Sequence, residues 1–172
     1  SIYEHRPIKT KEFQLFDPRC RFTDDSVLTI AIAYAILHAR SYKESLIEFG
    51  RRYPRAGYGG SFFHWLHSND PQPYNSWGNG SAMRVSSVGF AFQSEKEVLR
   101  QAGMTAAISH NHPEGIKGAK ATALAVFLAR TSSSKEHIRA RIIEEFSYDL
   151  DCTVDDIRPH YFFDVSCQGT VP

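Results

Sequence analysis

Val27 to Leu37 is almost entirely apolar, and directly before it stands the polar stretch Arg21-Phe22-Thr23-Asp24-Asp25-Ser26. The pattern predicts a helix from about Asp24 to Arg40. It is apolar on nearly every side, through Ile30, Ile32, Tyr34, Ile36 and Leu37, as expected of a helix packed inside others. From Lys43 to Tyr53, Leu46, Ile47 and Phe49 alternate with Lys43, Glu44 and Glu48, which predicts an amphipathic surface helix ended by Pro54 and Gly57. Gly59 to Ser68, with Phe62, Phe63 and Trp65, reads as a short helix before the loop 69–74. Asn75 to Gly80 forms a glycine-punctuated loop that runs into a helix reaching about Phe92. Ser94, with Glu97 three residues later, predicts a capping box that opens a helix to Ile108. Glu114 to Arg130 reads as a helix in which Ala119, Ala121, Ala123 and Ala125 allow close approach of neighbours. Lys135 to Tyr148 is a further amphipathic helix, and Thr153 to Ile157 a short one. Residues 1–21, with Pro7 and Pro18, read as an extended loop laid over the domain. No alternation of period two is long enough for a strand. The chain therefore reads as all-α, a compact multi-helix bundle in which residues 1–172 form one domain.

Composition narrows this picture. With 172 residues, 42% of them hydrophobic, the chain is large enough to bury a sizeable core. A formal charge of +1 supplies no electrostatic argument for nucleic acid or a membrane surface. Cys20, Cys152 and Cys167 are odd in number and widely spaced, so neither a disulfide framework nor a zinc knuckle is indicated. Reduced thiols in a cytoplasm are the simplest account. The run Val27 to Leu37 is too short to span a bilayer. Both ends read as cut: Ser1 is no initiator methionine, and Gly169 to Pro172 stops where a helix start is expected.

Three stretches carry candidate chemistry. Thr23-Asp24-Asp25 reads either as an N-cap with an acidic first turn or as three oxygen donors for a hard cation such as Mg2+. The loop Asn75 to Gly80 reads either as a tight turn or as an anion site, where glycines let backbone amides approach a phosphate and a helix start points positive charge at it. His110-Asn111-His112-Pro113 has the H-x-H-P string of JAMM-type zinc peptidases. The serine and aspartate that should follow at set distances are replaced by Ala121 and Leu124, so zinc-peptidase chemistry is not supported. His112 is then left to a hydrogen bond at a helix junction.

F-T-D-D-S heading one helix, G-N-G-S-A-M-R-V running into another and S-H-N-H-P-E-G-I-K-G-A-K-A opening a third together resemble the ADP-ribosylglycohydrolase family, in order and spacing over nearly the whole chain. The resemblance implies an all-α orthogonal bundle and a hydrolase that cleaves the bond between the anomeric carbon of ADP-ribose and a modified protein or small molecule. It implies two Mg2+ ions, with Mn2+ as an alternative, ligated by Thr23, Asp24 and Asp25, and proton transfer by Glu4 or by an aspartate of that site. By the same match Ser76, Trp77, Gly78, Asn79 and Gly80 surround the diphosphate and His110 contacts substrate. Ser26 keeps the hydroxyl of the usual threonine, and Ser87 stands where many relatives have proline. The family completes its metal site with a C-terminal G-G-D-x-D-T segment that nothing here matches. A non-catalytic nucleotide-binding or crystallin-like structural role is the alternative.

Overall fold

The computed structural model describes residues 2–3, 8–131 and 134–172. Glu4, implied above as a proton-transfer group, lies outside the described residues. The regular elements among the described residues are helices: α1 (Asp24–Leu37), α2 (Tyr42–Arg52), α3 (Gly60–His67), α4 (Gly80–Met83), α5 (Ser86–Ala91), α6 (Glu95–Ala107), α7 (Pro113–Arg130), α8 (Lys135–Phe146), α9 (Val154–Ile157) and α10 (Cys167–Thr170). No strand occurs among the described residues, and the sole ladder-like pairing there is an antiparallel bridge between Gly78 and Ser166.

The small-residue helix α7 is the centre of the packing. It touches α4, α5, α6, α8 and α10, and buries Gly115, Gly118, Ala119, Ala121, Ala123 and Leu124. Small side chains let helix axes approach closely, and that allows one helix to serve five neighbours. Its start is over-determined. His112 is the N-cap and its Nδ1 accepts from the Glu114 amide at 3.1 Å, while Pro113 occupies the first turn, where no amide donor is needed. At its other end Arg130 donates to the carbonyls of Gly89 (3.1 Å) and Phe92 (2.8 Å), fastening the end of α5.

Four expectations are modified. Helix α1 is buried along Val27, Leu28, Ala31, Ile32 and Ala35 only, whereas Ile30 and Leu37 are exposed. An apolar stretch lacks the contrast that would reveal which side faces the core. The helix expected from Gly80 to Phe92 is broken at Arg84-Val85 into α4 and α5. The guanidinium of Arg84 turns inward at the break and donates to the Thr105 carbonyl and to Ser109 Oγ. Ser94 caps α6 by accepting from the Glu97 amide at 3.3 Å, but the Glu97 carboxylate binds Arg100 and Gln101, so only half of a capping box forms at the helix start. The reciprocal box occurs instead between Thr153 and Asp156 in α9. Finally, Gly169 and Thr170 end the helical turn α10, with Pro172 following it.

Among the described residues, no helix is long and apolar enough to cross a membrane.

Candidate active site

Thr23 precedes α1 with an extended backbone (φ −120°, ψ −170°), and its carbonyl accepts from the amides of Ser26 and Val27, both at 3.1 Å. Its hydroxyl does not cap the helix. It donates to the Asp25 carboxylate, Oγ1 to Oδ2 at 2.9 Å, so two of the three oxygen donors already converge. The Asp24 amide donates to the Ala56 carbonyl at 2.8 Å, which ties the helix start to the chain after α2. Near it, burial and then the Asp24 negative charge push the Tyr58 hydroxyl up to about 12.

The glycine loop is held from two sides. Asn75 adopts a left-handed conformation (φ 54°), and its amide donates to Asn111 Oδ1 at 2.7 Å. The Gly78 amide donates to Ser76 Oγ at 3.1 Å. Opposite, the segment 164–170 returns to pair with it: the Asn79 amide donates to the Val165 carbonyl at 2.8 Å and the Cys167 amide to the Trp77 carbonyl at 3.0 Å. The Cys167 thiol, fully buried and pushed up by that burial, reaches the Gly78 carbonyl at 3.3 Å. The amides of Gly78 and Asn79 are thus occupied within the fold. With α4 only four residues long, little helix dipole stands behind the loop. An anion bound there has to rely mostly on other donors.

His110 stands beside the loop. It is 5% exposed, and its ring lies against Tyr74 with centroids 5.8 Å apart. Its Nδ1 is 2.8 Å from Ser109 Oγ, while its Nε2 faces Gly80. Burial first, and then the positive charge of Arg84, push its imidazole down from 6.5 to about 3. A base depressed in the fold binds its proton more readily when unfolded, so stability is full above the unfolded value and is lost as pH falls from 6.5 toward 3. The His110 ring resonances should therefore not titrate between about pH 8 and about pH 5 in an NMR titration, where an unperturbed histidine would. His110→Gln should flatten the acid limb of the stability curve.

Thr23, Asp24, Asp25, Ser76, Trp77, Gly78, Asn79, Gly80 and His110 all line one cleft of about 1310 Å3. Residues separated by up to 87 positions, from Thr23 to His110, are thereby brought to one place. His112 is not on the wall, consistent with its capping role. The cleft also takes Tyr3, Tyr74, Phe163, Val165 and Thr170, none of which sequence reasoning singled out. The exposed aromatic Phe163 was a possible signal, but the returning segment that carries it has no periodicity to reveal where it packs.

The donor set of Thr23, Asp24 and Asp25 is a hydroxyl and two carboxylates, hard oxygens that fit Mg2+ and not a soft thiophilic ion. No group of three or more His, Cys, Asp or Glu side chains able to share a metal occurs among the described residues. Mg2+ binds commonly through one or two carboxylates and keeps several waters, so these residues fit it as one side of a site.

The family model described as ADP-ribosylglycohydrolase matches residues 2–161. The chain is 30% identical to a Mus musculus protein named ADP-ribosylhydrolase ARH3 over 157 residues, covering 78% of this chain and 42% of that one. It is 29% identical to the Bos taurus protein of the same name and 28% identical to the Homo sapiens one, over 43% of each. The chain thus spans about two fifths of the length of these curated relatives.

Proposed function

The chain belongs to the ADP-ribosylglycohydrolase family, and from that membership we propose that the protein hydrolyses the bond between the anomeric carbon of ADP-ribose and a modified protein or small molecule, with Mg2+ as cofactor. The observation that carries the reading is the meeting of Thr23, Asp24 and Asp25 with the glycine loop and His110 on one cleft. The shared name of the relatives, ADP-ribosylhydrolase, supports the choice of substrate.

In this reading Thr23, Asp24 and Asp25 would hold the cation, with Mn2+ as an alternative occupant. When bound, Mg2+ supplies positive charge that orients hydroxyls and lowers the pKa of water. Cleavage at an anomeric carbon passes through an oxocarbenium-like state, which carboxylates nearby stabilise. An aspartate of the pair, or Glu4, moves the proton between the attacking water and the leaving group. Ser76, Trp77, Gly78, Asn79, Gly80 and His110 hold the diphosphate portion. Binding energy gathered there, remote from the bond that breaks, aligns the reacting carbon.

The test uses the full-length protein with peptides ADP-ribosylated on arginine or on serine, in Mg2+ and in EDTA, and follows ADP-ribose release. Release in Mg2+ that stops in EDTA is the expected result. ADP-ribose binding in calorimetry without release from any acceptor would assign the non-catalytic role instead.

A further inference from the structure

Arg84 is fully buried, yet it carries the charge of a guanidinium, which burial pushes down only to about 10. Its Nη2 donates to the Thr105 carbonyl at 2.8 Å and to Ser109 Oγ at 3.0 Å. Its Cζ lies over the Phe62 ring, 5.9 Å from the centroid, and its Nε and Nη1 have no hydrogen-bond partner among the described residues. Ser109 is also fully buried, and its hydroxyl stands 2.8 Å from His110 Nδ1. These contacts form one row, Arg84 to Ser109 to His110, that ends at the wall of the cleft.

The row has a direction. A guanidinium only donates, so Ser109 Oγ accepts from Arg84. Among the described residues the remaining hydrogen of that hydroxyl has one acceptor in reach, His110 Nδ1. Nδ1 must then be unprotonated and the ring proton must sit on Nε2. The opposite tautomer would leave a buried hydroxyl hydrogen without an acceptor, an arrangement that folded proteins avoid. Among the described residues, Arg84 is the charged group that acts on the ring and the Tyr74 ring packs against it, and no carboxylate there favours an imidazolium.

Nε2 makes no hydrogen bond within the described fold. It approaches Gly80 so closely that a side-chain Cβ there would lie 3.0 Å from it. Glycine at that position lets the ring reach the edge of the loop whose own Gly78 and Asn79 amides are occupied.

We propose that Arg84 and Ser109 are positioning residues that hold His110 as the neutral Nε2–H tautomer, an uncharged donor aimed at a phosphate oxygen of the ligand beside the Gly78–Gly80 loop. The ligand half of this inference rests on the ADP-ribose reading of the cleft. The tautomer half does not. A neutral donor pre-set in this way stays a donor throughout the physiological pH range, unlike a free histidine, whose proton is exchanged near neutrality.

The test begins with the full-length wild-type protein, 15N-labelled at histidine and without ligand. The ring nitrogens of His110, assigned by loss of signal in His110→Gln, should show a protonated Nε2 and an unprotonated Nδ1 at neutral pH. Ser109→Ala should move the ring toward a mixture of tautomers and weaken ADP-ribose binding about tenfold. Ser109→Cys, which restores a weak donor, should recover part of both effects. A proton on Nδ1 in the wild type overturns the proposal even if no Ser109 variant folds, and so does an unchanged tautomer in a folded Ser109→Ala. If the tautomer is as stated but ADP-ribose does not bind the wild type, the relay stands and the substrate reading fails. If ADP-ribose binds with equal affinity to wild type and to Ser109→Ala, the ligand half is overturned while the substrate reading stands.

Discussion

Asp24→Ala combined with Asp25→Ala should lower Mg2+-dependent ADP-ribose release by about a thousandfold or more, because metal-assisted charge stabilisation contributes several kcal/mol and each factor of ten needs about 1.36 kcal/mol. The fold should survive. The two carboxylates stand in the first turn of α1, Asp24 half-buried and Asp25 exposed. Their favourable interaction with the helix N-terminus is worth only about 0.3–1 kcal/mol each. The link from the helix start to Ala56 is a backbone bond that alanine keeps. Thr23 would lose its Asp25 partner, leaving a half-buried hydroxyl that water can reach. The measurement is release kinetics in Mg2+ beside a thermal melt. A variant that melts near the wild-type temperature but releases almost nothing places these carboxylates in the chemistry. Wild-type release by the double variant would remove the metal mechanism altogether.

Gly115→Ala should weaken ADP-ribose binding between about tenfold and about a hundredfold, or about 1.4–2.8 kcal/mol. A Cβ at this position would lie 2.6 Å from the Ser76 carbonyl oxygen, 2.9 Å from the His110 carbonyl oxygen and 3.1 Å from His110 Cβ. The first two are backbone atoms with no rotamer to swing aside, so either α7 shifts away or the glycine loop and His110 do. Overpacking of this kind costs about 1–3 kcal/mol, partly offset by the better helix propensity of alanine, worth about 1 kcal/mol. The net stability loss should therefore be about 0–2 kcal/mol, which leaves the variant folded for the binding measurement. Gly103→Ala in α6 is the control. Its Cβ would meet the Cε of Lys120 at 3.0 Å, the far part of a flexible side chain. That variant should bind ADP-ribose as the wild type does and be slightly more stable. Calorimetry with ADP-ribose and a melt on each variant separate the two cases. Equal affinities for Gly115→Ala and the wild type would mean that the loop and His110 take no part in the site.

Gly115 also marks how far the sequence could be read. As a member of the string P-E-G-I-K-G-A-K-A it supported the resemblance and the helix start. Nothing in the string says that the Ser76 carbonyl presses against it from 39 positions away. The same holds for Arg84. In the sequence it is the arginine of G-N-G-S-A-M-R-V, where the pattern predicts a continuous helix; in the fold it stands at the break between α4 and α5 and is the buried end of the row that reaches His110.

The sequence by itself determined what local chemistry controls. Helical periodicity, a cap such as Ser94, and the lack of two-residue alternation set the all-α class, because each depends on neighbours within about four positions. The motif strings also determined the family and nominated Thr23, Asp24, Asp25, the glycine loop and His110. Only the tertiary structure decided which face of α1 is buried, since Ile30 and Ile32 are chemically alike and only packing distinguishes them. It alone decided that residues 164–170 pair with the glycine loop and take up the Asn79 amide, and that a buried guanidinium and serine stand behind His110. These are long-range hydrogen bonds between groups with no shared local pattern, and chain compaction favours them because a buried donor or acceptor left unpaired is costly.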